Sequence, residues 1–239
     1  MKKVKILFFG LICFIFSTSG ASAVQFELFD WAFNIDGDIS EARLGDDMFT
    51  GELTGELTDG LGTLSWTTAE AGDHSFLAWF DHQIDADINT FFNEHGGVSG
   101  SSATGQSWEI DEPGYLNDTY IGDVYDNMLR GTLDNLNNTN LISGITDDAL
   151  NDVSMAMGWD FSLDTGQEAI IGLTLSHIAP ETGFYLFHTD EHSDASIYLS
   201  STLKINGNAP PVPEPGTMLL LCIGLAGMFG VRKKIMVKN

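Results

Sequence analysis

The segment Trp79-Phe80-Asp81-His82-Gln83-Ile84-Asp85-Ala86-Asp87 sets three carboxylates at alternate positions. On a strand, side chains alternate, so Asp81, Gln83, Asp85 and Asp87 share one face while Phe80, His82 and Ile84 share the other. A row of hard oxygens suits Ca²⁺, and like charges on one face repel unless a cation screens them. The competing reading is the solvated polar face of a half-buried strand, because Ca²⁺ ligands usually come from a loop that wraps the ion. Asn34-Ile35-Asp36-Gly37-Asp38-Ile39-Ser40-Glu41 has the acid-glycine-acid texture of a calcium loop without EF-hand spacing, and Asp-Gly is equally common turn chemistry. His188-Thr189-Asp190-Glu191-His192 offers two imidazoles and a carboxylate to Zn²⁺, or forms a polar hairpin loop. Calcium, through Asp36, Asp38, Asp81, Asp85 and Asp87, is the one cofactor these residues suggest.

Motifs for catalysis are missing. No Gly-x-Ser-x-Gly elbow, His-Glu-x-x-His helix or phosphate loop occurs. Glycoside hydrolysis needs two carboxylates at a set separation, and Glu109 with Asp111 is one pair among many in so acidic a chain. Trp79 and Trp108 would serve a sugar-binding module if exposed, whereas buried tryptophans would serve only the core.

The elements that must position these residues read as strands. Gly51-Glu52-Leu53-Thr54 repeats at once as Gly55-Glu56-Leu57-Thr58, and Asp59-Gly60 then leads into Thr63-Leu64-Ser65-Trp66. Alternating apolar residues with Asp-Gly punctuation predict hairpins. Ala169–Ser176, Gly183–His188 and Ala195–Ile205 predict three further antiparallel neighbours. Asn117–Asn140 reads as loop with short strands, and Asp147–Asp152 as one helical turn with early acids at its N-terminus. The fold class expected is all-β, an antiparallel β-sandwich over residues 24–209, with a jelly roll as the alternative.

Both ends read differently from this domain. Lys2, Lys3 and Lys5 precede an apolar run from Ile6 to Phe16 and small residues ending at Ala21-Ser22-Ala23. That order predicts a signal peptide over residues 1–23, cleaved after Ala23, with the Sec translocon and signal peptidase as partners; an uncleaved anchor helix is the alternative. At the other end a proline-rich linker, residues 210–215, leads into an apolar segment and basic tail, residues 216–239. The apolar stretch Gly216–Val231 has 16 residues, and a helix of that length falls short of a ~30 Å hydrocarbon core. Flanking Arg232, Lys233 and Lys234 can snorkel, and their charge places the bulk of the chain outside the cytoplasm.

Pro213, Glu214 and Pro215, the apolar segment and the terminal Arg232-Lys233-Lys234 cluster together resemble the PEP-CTERM sorting signal of bacterial exported proteins. The resemblance covers about the last thirty residues. It implies an exosortase as partner, cleavage near Pro213-Glu214-Pro215, and a Gram-negative host that makes extracellular polysaccharide. A plain C-terminal membrane anchor is the alternative, since the physics of spanning is shared. Gly105–Gly114, Gly122–Asn127, Trp159–Leu163 and Gly183–Asp190 also resemble blocks of one group of PEP-CTERM proteins, a resemblance that implies one unit and no known activity.

Composition bounds the rest. The whole chain carries −24, but Val24–Val212 holds 33 carboxylates against only Arg43, Arg130 and Lys204, a formal charge of −30. Such a surface repels nucleic acid and anionic lipid and strains the compact state through self-repulsion. Cys13 and Cys222 both lie in the apolar end segments, so the domain between them has neither a disulfide nor a catalytic thiol. The function expected is that of an exported, non-enzymatic cell-surface or matrix protein, briefly anchored in the inner membrane and then associated with exopolysaccharide or biofilm. A lectin-like module is the alternative, and a secreted polysaccharide hydrolase a more remote one.

Overall fold

The computed structural model describes residues 24–44, 46, 53–85, 94–113, 115–116, 119–120, 122–138 and 152–207. Their framework is two antiparallel sheets packed as a β-sandwich.

The first sheet runs in the order β2 (Asp38–Arg43), β1 (Phe26–Ile35), β5 (Gly72–Ile84), β10 (Ser154–Leu163), β7 (Gln106–Asp111). The second runs β3 (Thr54–Thr58), β4 (Leu61–Thr68), β11 (Glu168–Ser176), β13 (Ser196–Asn206), β12 (Tyr185–Asp190), β6 (Glu94–Ser99). The Asp-Gly pairs make the hairpins they predict: Asp36 and Gly37 have φ of 54° and 90°, and Asp59 and Gly60 have 52° and 73°. Positive φ at both central residues is what a two-residue turn needs to match the twist of its strands. The three late strands share a sheet, but β13 sits between β11 and β12 and pairs with both.

The main core lies between the sheets. Phe33, Phe76, Phe80, Met155 and Met157 of the first sheet meet Leu64, Trp66, Ile171, Leu173 and Leu199 of the second. Strand β5 is apolar on both faces through Phe76-Leu77-Ala78-Trp79-Phe80, and the structure buries both. Its outward Leu77 and Trp79 join Ala32 and Ala156 in a second, smaller cluster, covered by Val124 and Met128 of helix α1 (Val124–Leu129) together with Leu133. The Asn117–Asn140 region thus contains a helix besides the two-residue strand β9 (Thr119–Tyr120), which pairs with β8 (Tyr115–Leu116) just before it. The expected turn at Asp147–Asp152 and the C-terminal apolar helix fall largely or wholly outside the described residues. No helix among the described residues is long and apolar enough to cross a membrane.

Candidate functional site

The carboxylates of the Asp81 segment part company. Asp85 has φ of 53° and closes a local bracket: its backbone N–H donates to the Gln25 carbonyl at 2.8 Å, and its Oδ1 accepts the Gln25 N–H at 2.7 Å. Asp81 is buried on the outer face of the first sheet, 6% exposed, directly across from Asp30 on β1. Burial, with Asp152, Glu94 and Asp30 nearby, raises its carboxyl well above the usual range. So the solvated face does not describe it. Asp87 lies outside the described residues. Asp36 serves the first hairpin, accepting the Ser75 N–H at 2.8 Å and meeting His74 Nδ1 at 2.8 Å, while Asp38 is exposed at the start of β2. Asp36 thus belongs to the β1–β2 turn with Gly37, and Asp38 to the strand that follows it.

The histidine motif also separates. His188 points between the sheets, its Nε2 2.7 Å from Glu94 Oε2, with both side chains at most 1% exposed. Asp190 instead holds the following turn, its Oδ1 accepting the backbone N–H groups of His192 and Ser193 at 2.8 and 2.7 Å. The two imidazoles do not form a zinc site with Asp190. Close to Glu94 and His188, burial raises Asp152 to about 7 and lowers neighbouring His82 to about 4. His82 is therefore neutral, and its Nε2–H donates to the Gly60 carbonyl at 3.0 Å. Glu94 was not singled out by the sequence because only the pairing of β6 with β12 brings it to His188.

Glu109 and Asp111 are one residue apart on β7 and share a face. They are 0% and 4% exposed, and Asp123, just before α1, joins them so that one ligand atom of each falls within 4.8 Å. Nearly every oxygen has a local donor. Glu109 accepts Asn127 Nδ2 at 2.9 and 3.1 Å and the Asp134 N–H at 3.1 Å; Asp111 accepts the Glu112 and Asp123 N–H groups at 2.8 and 3.0 Å. Burial pushes Glu109 up to about 7 and Asp111 to about 6, against the lowering effect of those hydrogen bonds. Chemically this is a buried carboxylate hub that ties α1 and the 131–138 loop to β7, with hard oxygens of the kind a divalent cation prefers. Among the described residues both carboxyls are buried, whereas a glycosidase pair must meet its substrate in an open groove.

Of the two candidate sugar platforms, Trp79 is covered. Trp79 is 4% exposed, donates through Nε1 to Ser154 Oγ at 2.9 Å and packs on Tyr125 with ring centroids 4.9 Å apart. Trp108 is half-buried against Phe184.

The sorting residues Pro213, Glu214, Pro215, Arg232, Lys233 and Lys234, and the cleavage residues Ala21 and Ala23, lie outside the described residues. Comparison with known families nevertheless addresses the C-terminal group, since residues 211–234 match the PEP-CTERM protein-sorting motif. No curated protein and no solved structure matches the chain. Sorting information at the C-terminus and a thiol-free β-sandwich before it belong together: the chain carries a PEP-CTERM sorting signal, the mark of an exported protein handled by an exosortase.

Proposed function

We propose that this is a non-enzymatic cell-surface or matrix protein, cut at Pro213-Glu214-Pro215 and working in the exopolysaccharide layer as an anionic β-sandwich. The observation that carries the reading is the sorting motif at residues 211–234. The charge of −30 over Val24–Val212 supports the destination, because a strongly anionic domain stays soluble and associates with other anionic polymers only through cations. Divalent ions such as Ca²⁺ are the proposed bridge between its surface carboxylates and acidic polysaccharide. A hydrolase reading has less support, since the paired carboxylates lie beneath α1 and are already bonded to amides.

Fractionation tests the proposal. In a host with an active exosortase the processed chain is expected with the extracellular polysaccharide, released by EDTA; deletion of residues 211–234 is expected to abolish that placement. Recovery from the periplasm regardless of the deletion would overturn it. Calorimetric melting with Ca²⁺ against EDTA tests the ion bridge separately, a binding cation raising the melting temperature in proportion to its occupancy and an unchanged value refuting it.

A further inference from the structure

Cross-strand register sets up an unusual neighbourhood on the outer face of the first sheet. Asp30 stands directly opposite both Arg43 on β2 and Asp81 on β5, while Ala32 stands opposite both Glu41 and Trp79. Residues two apart share a face, so Asp30, Glu41, Arg43, Trp79 and Asp81 all project to the same side. Two like charges directly across a sheet repel.

These side chains line a recess of about 320 Å³, with Tyr125 of α1 against Trp79 as one wall and Asp46 at the rim. Asp81 lies deep in it, 6% exposed, and its Oδ1 has no hydrogen-bond donor. Asp30 has one cation, Arg43 Nε at 3.4 Å, on a side chain that is 82% exposed. Tyr125 is hydrogen-bonded to Glu41.

The chemistry narrows the ligand. Four carboxylates exclude an anion, and a neutral sugar would bring no charge to set against Asp30 and Asp81. A metal ion is a poor match, because among the described residues only Glu109, Asp111 and Asp123 bring three ligand atoms within 4.8 Å. An ammonium group suits wider spacing: its three N–H donors diverge, and aromatic faces attract it. The volume lies at the small end of ligand pockets.

We infer that this recess binds a primary ammonium group on a ligand about the size of one hexosamine, its N–H donors meeting Asp81 and Asp30, its charge resting against the Trp79 and Tyr125 rings, and Arg43 yielding its place on Asp30. The inference is independent of where the protein finally resides. Burial and the neighbouring Asp152, Glu94 and Asp30 raise the Asp81 carboxyl well above the usual range, and Glu41, Asp46, Arg43 and Tyr125 also line the recess.

The test titrates the secreted protein with glucosamine, N-acetylglucosamine, putrescine and calcium chloride at pH 7, read by calorimetry and tryptophan fluorescence. Glucosamine and putrescine are expected to bind, and the tighter of the two identifies whether the ammonium comes from a sugar or an alkyl amine. N-acetylglucosamine is expected not to bind. Asp81→Asn should weaken glucosamine binding about tenfold or more, the loss of one charge-assisted bond. Arg43→Ala, at an exposed position that leaves the fold intact, should strengthen it about two- to fivefold by removing the competing cation. Equal binding of N-acetylglucosamine, the same fluorescence change with calcium alone, no glucosamine binding, or weaker binding by Arg43→Ala would each overturn the inference.

Discussion

His74 has Nδ1 2.8 Å from Asp36 Oδ2 and Nε2 2.9 Å from the Glu70 carbonyl. A carboxylate and a carbonyl both accept, so both ring nitrogens must donate, and only the imidazolium does that. The Asp36 bond is the largest cause raising its pKa above 6.5, helped by Glu70 and opposed by burial. The cation thereby clamps the first hairpin and the β4–β5 connection to β5. A raised folded pKa means stabilisation fully present below about 6.5 and lost as pH climbs through the folded value. The melting-temperature gap between the native chain and His74→Gln should therefore shrink as pH rises above about 6.5; a constant gap would rule out the clamp. The Asp36-Gly37 turn was legible from two adjacent residues, because turn chemistry is local. Its partner His74 was not, since only the pairing of β1 with β5 brings together residues 38 positions apart. Asp81 was misjudged for a related reason: alternation correctly separated it from Phe80 and His82, but nothing local says that a polar face is covered.

At the level of elements, α1 is instructive. Six residues are too few to hold a helix alone, so α1 persists because Val124 and Met128, both 0% exposed, cover Leu77 and Trp79. Met128→Ala should cost about 2–5 kcal/mol in urea unfolding and change the near-ultraviolet circular dichroism of Trp79 as Tyr125 loosens. A cost below about 1 kcal/mol would mean the cluster contributes little. The helix was not legible in Val124-Tyr125-Asp126-Asn127-Met128-Leu129, which sits among Asn and Asp residues that favour turns. The need for a cover was legible, because the unbroken apolar run Phe76–Phe80 leaves no face of β5 suited to water. Strand order was less accessible: β11, β12 and β13 were readable as neighbours, but periodicity carries no information on which one lies in the middle.

Across the whole molecule, charge and burial act in the same direction. Asp81, Glu109, Asp111 and Asp152 all have raised pKa values, so each disfavours the folded state progressively as pH rises from the ordinary carboxylate range to its own folded value, about 7 for Glu109 and Asp152 and about 6 for Asp111. His82 opposes them, its depressed value favouring the folded state at higher pH. Four groups outweigh one of comparable shift, and the repulsion within a domain of −30 adds to them. Thermal stability should therefore fall between about pH 5 and about pH 7, with added NaCl reducing the slope; a maximum at or above neutral pH would contradict this. The same charge depends on both end segments being removed, since they carry seven of the ten Lys and Arg residues. Intact-mass analysis of the protein recovered outside the cell tests that processing most directly. The expected species starts at Val24 and ends within the Pro-Glu-Pro region, whereas a mass that retains Asn239 would contradict processing at the sorting signal.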